Sequence, residues 1–364
     1  MVEQGKISIR QFKILVMLFS LGSAILIVPS SLTSASRQDA WISAILGGGM
    51  GLLLLLMYNH LAKRHPEKSL VEYSEAILGK WLGKAVGLLF VSFFFLLSSL
   101  VLRNIGDFIT TIVMPETPIQ AIHIMFTLIV IAGVRLGLEV IARASEVFTP
   151  WVLFLIFVLV AVIAPEMKLD RIEPVLEAGF KPLIRGGLSI LGIPYLELVV
   201  FLMVLPYVNK KEKAGKAFIA GAMFGGAILV ALTALCVLVL GWDFTSRHAF
   251  PSYTLAKKIH IGEFLQRIEV LMAVIWFLTI FFKLVICFYA SALGLAQILK
   301  IQSARILLLP LGMSMTVLSL VAYPNIVYFR AFASEVWFSY ALTFGLLLPL
   351  LLIGADMIRR AISK

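Results

Sequence analysis

Long apolar runs separated by short polar stretches repeat along the whole chain. A helix needs about 20 apolar residues to cross roughly 30 Å of hydrocarbon, and runs of that length predict about ten membrane-spanning helices. The polar stretches between them are too short to build an aqueous core, so the pattern predicts a single transmembrane domain over residues 1–364. The predicted spans are 11–35, 40–62, 83–113, 119–138, 146–165, 184–207, 216–241, 266–297, 304–323 and 334–357.

The composition indicates an integral membrane protein. Of 364 residues, 61% are hydrophobic and 14% are charged, and the mean hydropathy is +1.01. A soluble domain has about 45–50% apolar and about 25% charged residues, so a soluble enzyme, a disordered regulator and a disulfide scaffold are excluded. Cys236 and Cys287 lie inside apolar runs without metal-ligand spacing, and no enzyme motif is present. We therefore expect an all-α membrane protein that is not an enzyme and holds no metal or cofactor.

Positive charge is concentrated in some of the loops. The chain has 31 Lys and Arg residues against 20 Asp and Glu residues, and basic clusters such as Lys63-Arg64 and Lys210-Lys211 lie between apolar runs. With the N-terminus inside the cell, the cytoplasmic loops hold about twice as many Lys and Arg residues as the outer loops. This asymmetry predicts that both termini are cytoplasmic. Because it is a topology signal, we expect the lipid bilayer and no nucleic acid as a partner.

A short amphipathic segment follows the second predicted span. Residues 67–79 place Leu70, Tyr73 and Ile77 on one helical face, opposite Glu72 and Glu75. The pattern predicts a cytoplasmic helix that lies on the membrane surface, with partner docking as the alternative.

Ten spans divide into two halves of five, and an odd number per half gives the halves opposite orientations in the membrane. The first span contains Gly22 and Pro29, and the sixth contains Gly192 and Pro194, all at mid-membrane depth. Each pair alone is more simply a packing notch or a kink. At corresponding positions of two inverted repeats, 11–165 and 184–357, the pairs favour broken helices whose free N–H and C=O groups hold a ligand.

Three parts of the sequence form a pattern typical of one family, namely residues 6–12, the motif Gly22-x-x-Ile25-Leu26-x-x-Pro29, and Glu197 followed by Pro206 and then Lys210-Lys211. In these residues the sequence resembles the B subunits of spore germination receptors, also called endospore germination permeases. The resemblance extends over the whole chain in length and span count. That family is similar to the amino acid–polyamine–organocation transporters, which have inverted five-helix repeats.

The resemblance implies a receptor subunit in the inner membrane of the spore. It implies an A subunit and a lipoprotein C subunit as partners, and a small amino-acid-like nutrient as the ligand. The ligand carboxylate would meet N–H groups near Gly22 to Ala24, and its ammonium would meet carbonyls near Gly192 to Tyr195 together with Glu197. A proton-coupled amino acid symporter of the same fold is the alternative function. A scaffold for the other subunits would leave the paired breaks without a purpose.

Two ionisable side chains lie deep in apolar spans, where they are costly and indicate function. Glu197 follows the break in the sixth span, and Lys283 lies deep in the eighth. Sodium-coupled relatives in the broader superfamily hold a cation between the first and eighth helices. The Lys283 ammonium could replace that ion and contact carbonyls of residues 22–25, or it could pair with Glu197, and both alternatives remain open.

Four further polar positions complete the candidate site. Arg103 and Asp107 are four residues apart, and we expect a self-neutralising pair near the outer rim rather than a gate. Ser98 could contact a ligand, although such serines more often bond to their own helix, and Tyr195 is either a lid or a packing residue. The candidate ligand-binding residues are Gly22, Ser23, Ala24, Ile25, Ser98, Gly192, Ile193, Pro194, Tyr195 and Glu197, and the candidate coupling or gating residues are Lys283, Glu197, Arg103 and Asp107.

Overall fold

The computed structural model describes residues 5–177, 179–257 and 269–362, and almost all of these residues are helical. Positions 266–268 of the predicted eighth span lie outside the described residues, as do Lys258, Arg267 and Lys364 of the predicted charge asymmetry. Within the described ranges, β-bridging is limited to an isolated parallel bridge between Ile7 and Val208. The fold is therefore all-α, as the sequence predicts.

The α-helices follow the predicted spans closely. In chain order they are α1 (Ile9–Leu21), α2 (Ala24–Ser36), α3 (Ala40–Arg64), α4 (Leu70–Leu78), α5 (Lys80–Phe108), α6 (Ile119–Leu136), α7 (Leu138–Ile163), α8 (Phe180–Ile190), α9 (Lys211–Leu240), α10 (Trp242–Arg247), α11 (Pro251–Lys257), α12 (Glu269–Leu299), α13 (Arg305–Val321), α14 (Ile326–Glu335), α15 (Trp337–Leu342) and α16 (Leu348–Ile362). The π-helical turns are Ile109–Val113, Leu191–Tyr195 and Thr343–Leu347, and the 3-10 segments are Arg37–Asp39, Ala164–Glu166, Leu169–Ile172, Leu196–Met203 and Leu205–Tyr207.

Eight helical segments of the described chain are long and apolar enough to cross a membrane, and the bent pair α13 and α14 gives a ninth. The sequence pattern predicts about ten, and the difference arises in the first span. There, α1 and α2 have 13 residues each, which is about 20 Å per helix and too short to cross alone. Helix α2, the second half of the first predicted span, continues into α3, so that Ala24–Arg64 counts as one segment.

The apolar face of helix α4 packs against other helices of the protein. A capping box starts the helix, because the Ser69 hydroxyl accepts from the Glu72 N–H and the Glu72 carboxylate accepts from the Ser69 N–H. Its apolar face, with Leu70, Tyr73 and Ile77, is buried against α5. The amphipathic pattern identified the helix correctly, but protein rather than lipid covers its apolar side.

The two interrupted spans form the centre of the bundle. Every residue of the 3-10 segment Leu196–Met203 is buried, and α1 packs against α9 and α12. The Phe201 ring meets the rings of Phe12 and Phe19 edge to face, at centroid distances of 5.7 and 5.2 Å. Aromatic pairs in this geometry add to the energy of burial, so the first and sixth spans are joined directly.

Both described terminal segments lie at one end of the bundle. Ile7 bonds to the residues that follow the sixth span, through Ile7 N to Tyr207 O and Asn209 N to Ile7 O. At the other end of the sequence, Asp356 in α16 pairs with Arg64 at the end of α3, at 2.6 Å. The opposite end of the bundle carries α10, α11 and the bend between α13 and α14.

Candidate ligand-binding site

The first span is broken at Gly22. Helix α1 ends at Leu21 and α2 begins at Ala24, and Gly22 has φ 2° and ψ −111°. The Gly22 N–H still donates to Leu18 O at 3.0 Å. A Cβ at Gly22 would lie 2.6 Å from Cδ of Lys283. The absence of a side chain at the break therefore allows the Lys283 stem to pass directly over the backbone of the first span.

We expect Gly22→Ala to lower the stability of the protein by about 1–3 kcal/mol, because the added methyl displaces the Lys283 stem in a packed interior. Thermal unfolding in detergent micelles measures the effect. Gly133→Ala is the matched control, because a Cβ there would meet no atom within 4 Å. If the two variants unfold at the same temperature, Lys283 does not require the gap at Gly22.

The sixth span is broken one turn before Glu197. Helix α8 ends at Ile190, and Ile193 has extended backbone angles, φ −131° and ψ 108°, inside the turn Leu191–Tyr195. Pro194 has no N–H to continue the helical bonding. The 3-10 segment Leu196–Met203 follows, with Glu197 in its first turn. The break thus places the carboxylate at the start of the innermost segment.

Glu197 and Lys283 form a buried ion pair. The Lys283 Nζ donates to Glu197 Oε2 at 2.5 Å, and both side chains are almost fully buried. The other carboxylate oxygen, Oε1, accepts from the Trp337 indole N–H at 3.1 Å, and the ammonium lies 5.3 Å from the centroid of the Phe19 ring. Of the two partners open to Lys283, the structure places its ammonium on Glu197 and only its stem beside Gly22.

A small central cavity lies between the two breaks. Its volume is about 20 Å³, which is room for a water molecule and not for an amino acid. The Ser23 hydroxyl in its wall is buried and has no hydrogen-bond partner among the described residues. The polar residues that line the cavity are Ser23, Asn104, Glu197 and Trp337, from the first, third, sixth and last spans.

A wider vestibule of about 590 Å³ lies next to the central cavity, at the end of the bundle opposite the described termini. Ile27, Phe329, Ala333 and Trp337 line both spaces. Arg330 of α14 donates to Ser246 O at 2.9 Å and to Arg247 O at 3.1 Å. Helix α14 therefore forms much of the partition between the vestibule and the central cavity, and Arg330 ties it to α10.

Several predicted site residues lie beside the breaks and not in the wall of the central cavity. Ile193 lines the cavity, whereas Gly192 lines the vestibule. Gly22, Ala24 and Pro194 are not among the lining residues of either space. The Ile25 carbonyl, a candidate ligand acceptor, already accepts from the Ser252 hydroxyl at 2.7 Å.

Ser98 and Tyr195 have packing contacts. The Ser98 hydroxyl donates to Phe95 O of its own helix at 2.7 Å, and the residue does not line the central cavity. The Tyr195 ring points between α3 and α9, where a Cβ at Gly51 or Gly226 would lie 2.2 Å from its atoms. Of the two roles considered for Tyr195, the structure therefore shows packing and not a lid.

Arg103 and Asp107 form the predicted pair, with Arg103 Nε 3.0 Å from Asp107 Oδ1. Both side chains are buried in the protein. Arg103 also donates to the carbonyls of Ser319 and Leu320, at 3.2 and 2.9 Å. The pair thus joins α5 to α13, which the spacing alone does not reveal.

Two polar residues of the cavity were absent from the sequence prediction, namely Asn104 and Trp337. Each had a usable signal: a side-chain amide in an apolar span is costly, and a buried indole N–H needs an acceptor. The signal for Asn104 was masked by the charged neighbour Arg103. Trp337 was missed because aromatic residues are common near span ends.

Solved structures with a similar fold are transporters. MhsT, solved in complex with L-phenylalanine, superimposes with a TM-score of 0.67 at 15% identity, over 95% of this chain and 97% of MhsT. Mhp1, a nucleobase-cation-symport-1 family transporter solved in a closed conformation with bromovinylhydantoin bound, gives 0.70 at 12% identity, over 93% of this chain and 76% of Mhp1. At these identities the likeness shows the fold, an inverted-repeat membrane fold with several membrane-spanning helices.

The sequence relatives come from spore germination. Spore germination protein KB of Bacillus subtilis (strain 168) is 29% identical over 327 residues, which cover 89% of this chain and 87% of the relative. Spore germination protein YndE of the same organism is 26% identical over 299 residues, with 81% and 82% covered. The family model described as spore germination protein matches residues 6–327. This multi-pass membrane protein therefore belongs to the spore germination protein family.

Proposed function

We propose that the chain is the membrane subunit of a spore germinant receptor, and that a small amino-acid-like nutrient binds between the broken first and sixth spans and signals germination. The observation that carries this proposal is Glu197, a buried carboxylate one turn after the break in the sixth span that lines the central cavity. An intramembrane carboxylate at such a place is a functional group by default. A carboxylate at this position can form an ion pair with the ammonium group of an amino acid.

The ligand contacts follow from the groups that face the cavity. The unpartnered Ser23 hydroxyl would hold the ligand carboxylate, together with those N–H groups of the break from Gly22 to Ala24 that become free when the cavity widens. Glu197 would hold the ammonium, with carbonyls of the Gly192 to Tyr195 turn. A bound L-phenylalanine in MhsT, which has the same fold, supports an amino acid as the ligand class.

Signalling requires the central cavity to widen. A space of about 20 Å³ cannot hold an amino acid, whereas the vestibule has the volume of a small-molecule pocket. In the proposal, the ligand enters from the vestibule and favours a state in which α14 has moved away from Ile27. The difference in ligand affinity between the two states is the energy available for signalling.

The partners and the location are part of the same proposal. The family resemblance supports an A subunit and a lipoprotein C subunit as partners, and the inner membrane of the spore as the site of action. The positive-inside rule supports cytoplasmic termini, and the contacts of Ile7 and Asp356 agree in placing both at one end of the bundle. The proposed inverted repeats are 11–165 and 184–357.

A proton-coupled amino acid symporter is the second candidate, and the pair of Glu197 with Lys283 favours it. Buried carboxylates of this kind take up and release protons in many transporters. A symporter would move its ligand across the membrane, whereas a receptor needs only to bind it. The two candidates therefore differ in transport and share the binding site.

The test measures binding and counterflow by the purified chain in liposomes, with each proteinogenic L-amino acid in labelled form. We expect saturable binding of at least one amino acid without counterflow. In Glu197→Gln the affinity for that amino acid should fall at least about tenfold, because a charged hydrogen bond to its ammonium is lost. Glu116→Gln is the control, since Glu116 is exposed in a loop.

The outcomes of this test separate the two candidates or overturn the binding site that they share. Counterflow that depends on a proton gradient, and that loses this dependence in Glu197→Gln, would establish the symporter. Absence of binding to every amino acid in the panel would overturn an amino-acid site in this chain. The double variant Glu197→Gln, Lys283→Met keeps the pair neutral and separates loss of the ligand contact from loss of folding.

A further inference from the structure

A second buried polar cluster lies outside the pair of Glu197 and Lys283, where α5 meets the bend of the ninth span. The Asp107 carboxylate accepts from Arg103 Nε on Oδ1 at 3.0 Å and from the Tyr323 hydroxyl on Oδ2 at 2.7 Å. The Arg103 guanidinium lies 4.7 Å from the centroid of the Tyr323 ring. All three side chains are buried, so this is a completed polar network and not a surface pair.

The network of Arg103, Asp107 and Tyr323 lies at the bend between α13 and α14. Helices α13 and α14 meet at 97°, and Tyr323 lies in the short connection between them. Arg103 donates to the carbonyls of Ser319 and Leu320, which belong to the last turn of α13. Such carbonyls have no partner within their own helix, and a cation next to a helix C-terminus is favourable. The third span therefore anchors the end of α13 at the point where the chain turns into α14.

Asn104 connects this network to the central cavity. It follows Arg103 on α5 and lines the cavity, and its Oδ1 lies 3.3 Å from the Tyr323 hydroxyl. That hydroxyl has a single hydrogen, so Asp107 and Asn104 compete for it. The Asn104 Nδ2 donates to no described residue, which leaves the amide free to donate to an acceptor group inside the cavity.

The far side of the bend reaches the same cavity. Phe329 and Phe332 of α14 line it, and the Phe329 ring packs on Tyr323 with the centroids 5.1 Å apart. A change at the bend therefore moves the wall that separates the cavity from the vestibule. Asn104 and α14 therefore line the central cavity from two sides, and Tyr323 contacts both Asn104 and Phe329 of α14.

We infer that Asn104 donates to an oxygen of the ligand and that Tyr323, held by Asp107 and Arg103, positions α14 according to whether Asn104 is engaged. The inference rests on the proposed function, because it assumes that the ligand occupies the central cavity. When a ligand oxygen draws the Asn104 amide into the cavity, Oδ1 changes its distance to the Tyr323 hydroxyl, and the bend shifts with it. Asn104 is then a specificity residue for ligands that carry an acceptor, and Tyr323 is a positioning residue.

The test separates binding from movement. Spin labels at Ile306→Cys and Val327→Cys, both on exposed side chains of α13 and α14, report the bend through their distance, in a chain with Cys236 and Cys287 replaced by alanine. The probe is the L-amino acid that binds most tightly in the liposome panel. We expect it to shift the distance distribution in the otherwise unmodified chain. In Tyr323→Phe, which keeps the ring contacts, the hydroxyl no longer holds α14, so the distance should already be shifted without ligand and should change little when the ligand binds.

Two further variants complete the design. Tyr328→Phe removes the same hydroxyl from an exposed side chain of α14 and should keep the ligand-induced shift. Asn104→Leu should weaken binding about tenfold, as expected for a lost hydrogen bond to a charged group. A full distance shift in Tyr323→Phe, or undiminished binding in Asn104→Leu, would overturn the inference while the proposed function stands. Absence of binding in the chain with no substitution at Asn104 or Tyr323 would overturn both.

Discussion

Replacing Lys283 with methionine is expected to lower the free energy of unfolding by about 3–5 kcal/mol, because it leaves the buried Glu197 carboxylate without its counter-charge. The Trp337 indole N–H remains on Oε1, but a single neutral donor does not replace an ammonium at 2.5 Å. Thermal and denaturant unfolding of the purified chain in detergent micelles measures the loss. The same preparation, tested with the amino-acid panel, shows whether ligand binding depends on Lys283.

The double variant Glu197→Gln, Lys283→Met should recover most of that stability, because neither remaining side chain is charged. Lys211→Met is the matched control. Lys211 also pairs with a glutamate, Glu67, but that carboxylate is largely exposed, and exposed pairs contribute about 0–1 kcal/mol. If Lys283→Met unfolds like the unmodified chain, the pair does not hold the first, sixth and eighth spans together.

Arg103→Met is expected to cost a similar amount, about 3–5 kcal/mol, through the same loss of a buried counter-charge. Asp107 would keep only the Tyr323 hydroxyl, and the carbonyls of Ser319 and Leu320 would lose their donor. We expect the loss to appear as a lower unfolding temperature in micelles. Protease cleavage near the bend between α13 and α14 should rise as well, because Arg103 anchors the end of α13.

The chain contains its own control for this prediction. Arg143 and Glu139 are also four residues apart on one helix, but both side chains are exposed. Arg143→Met should therefore cost no more than about 0.5 kcal/mol. Equal effects of the two substitutions would mean that Arg103 contributes only an ordinary helical pair and does not anchor α13.

The sequence predicted the positions of the two helix breaks correctly, but it did not predict which of the neighbouring residues line the cavity. Glycine and proline act on the backbone around them, so Gly22 and Pro194 marked the interruptions without knowledge of any other helix. Which side chains line the cavity is a different question. Ser23 and Ile193 line it whereas Ala24 and Pro194 do not, and this depends on the rotation of each half-helix about its axis, which only packing determines.

The burial of a charged pair inside the protein was also beyond the sequence. The spacing of Arg103 and Asp107 predicted their mutual contact, because residues four apart share a helical face. Their burial follows from contacts with α13, whose residues are more than 200 positions away along the chain. Helix α4 shows the same limit, since its amphipathic pattern is equally compatible with lipid and with the protein surface that covers it.

The sequence by itself determined the class of the protein, the approximate extent of each span and the positions of the two breaks, because span length and helix interruption are local properties of the chain. Only the tertiary structure decided the partners: Lys283 with Glu197, Trp337 with the same carboxylate, and Tyr323 between Asp107 and Asn104. Each of these contacts joins different helices. Which side chains meet depends on how closely the helices approach each other. Small residues such as Gly22, Gly51 and Gly226 allow a close approach, because they leave space for a side chain from another span.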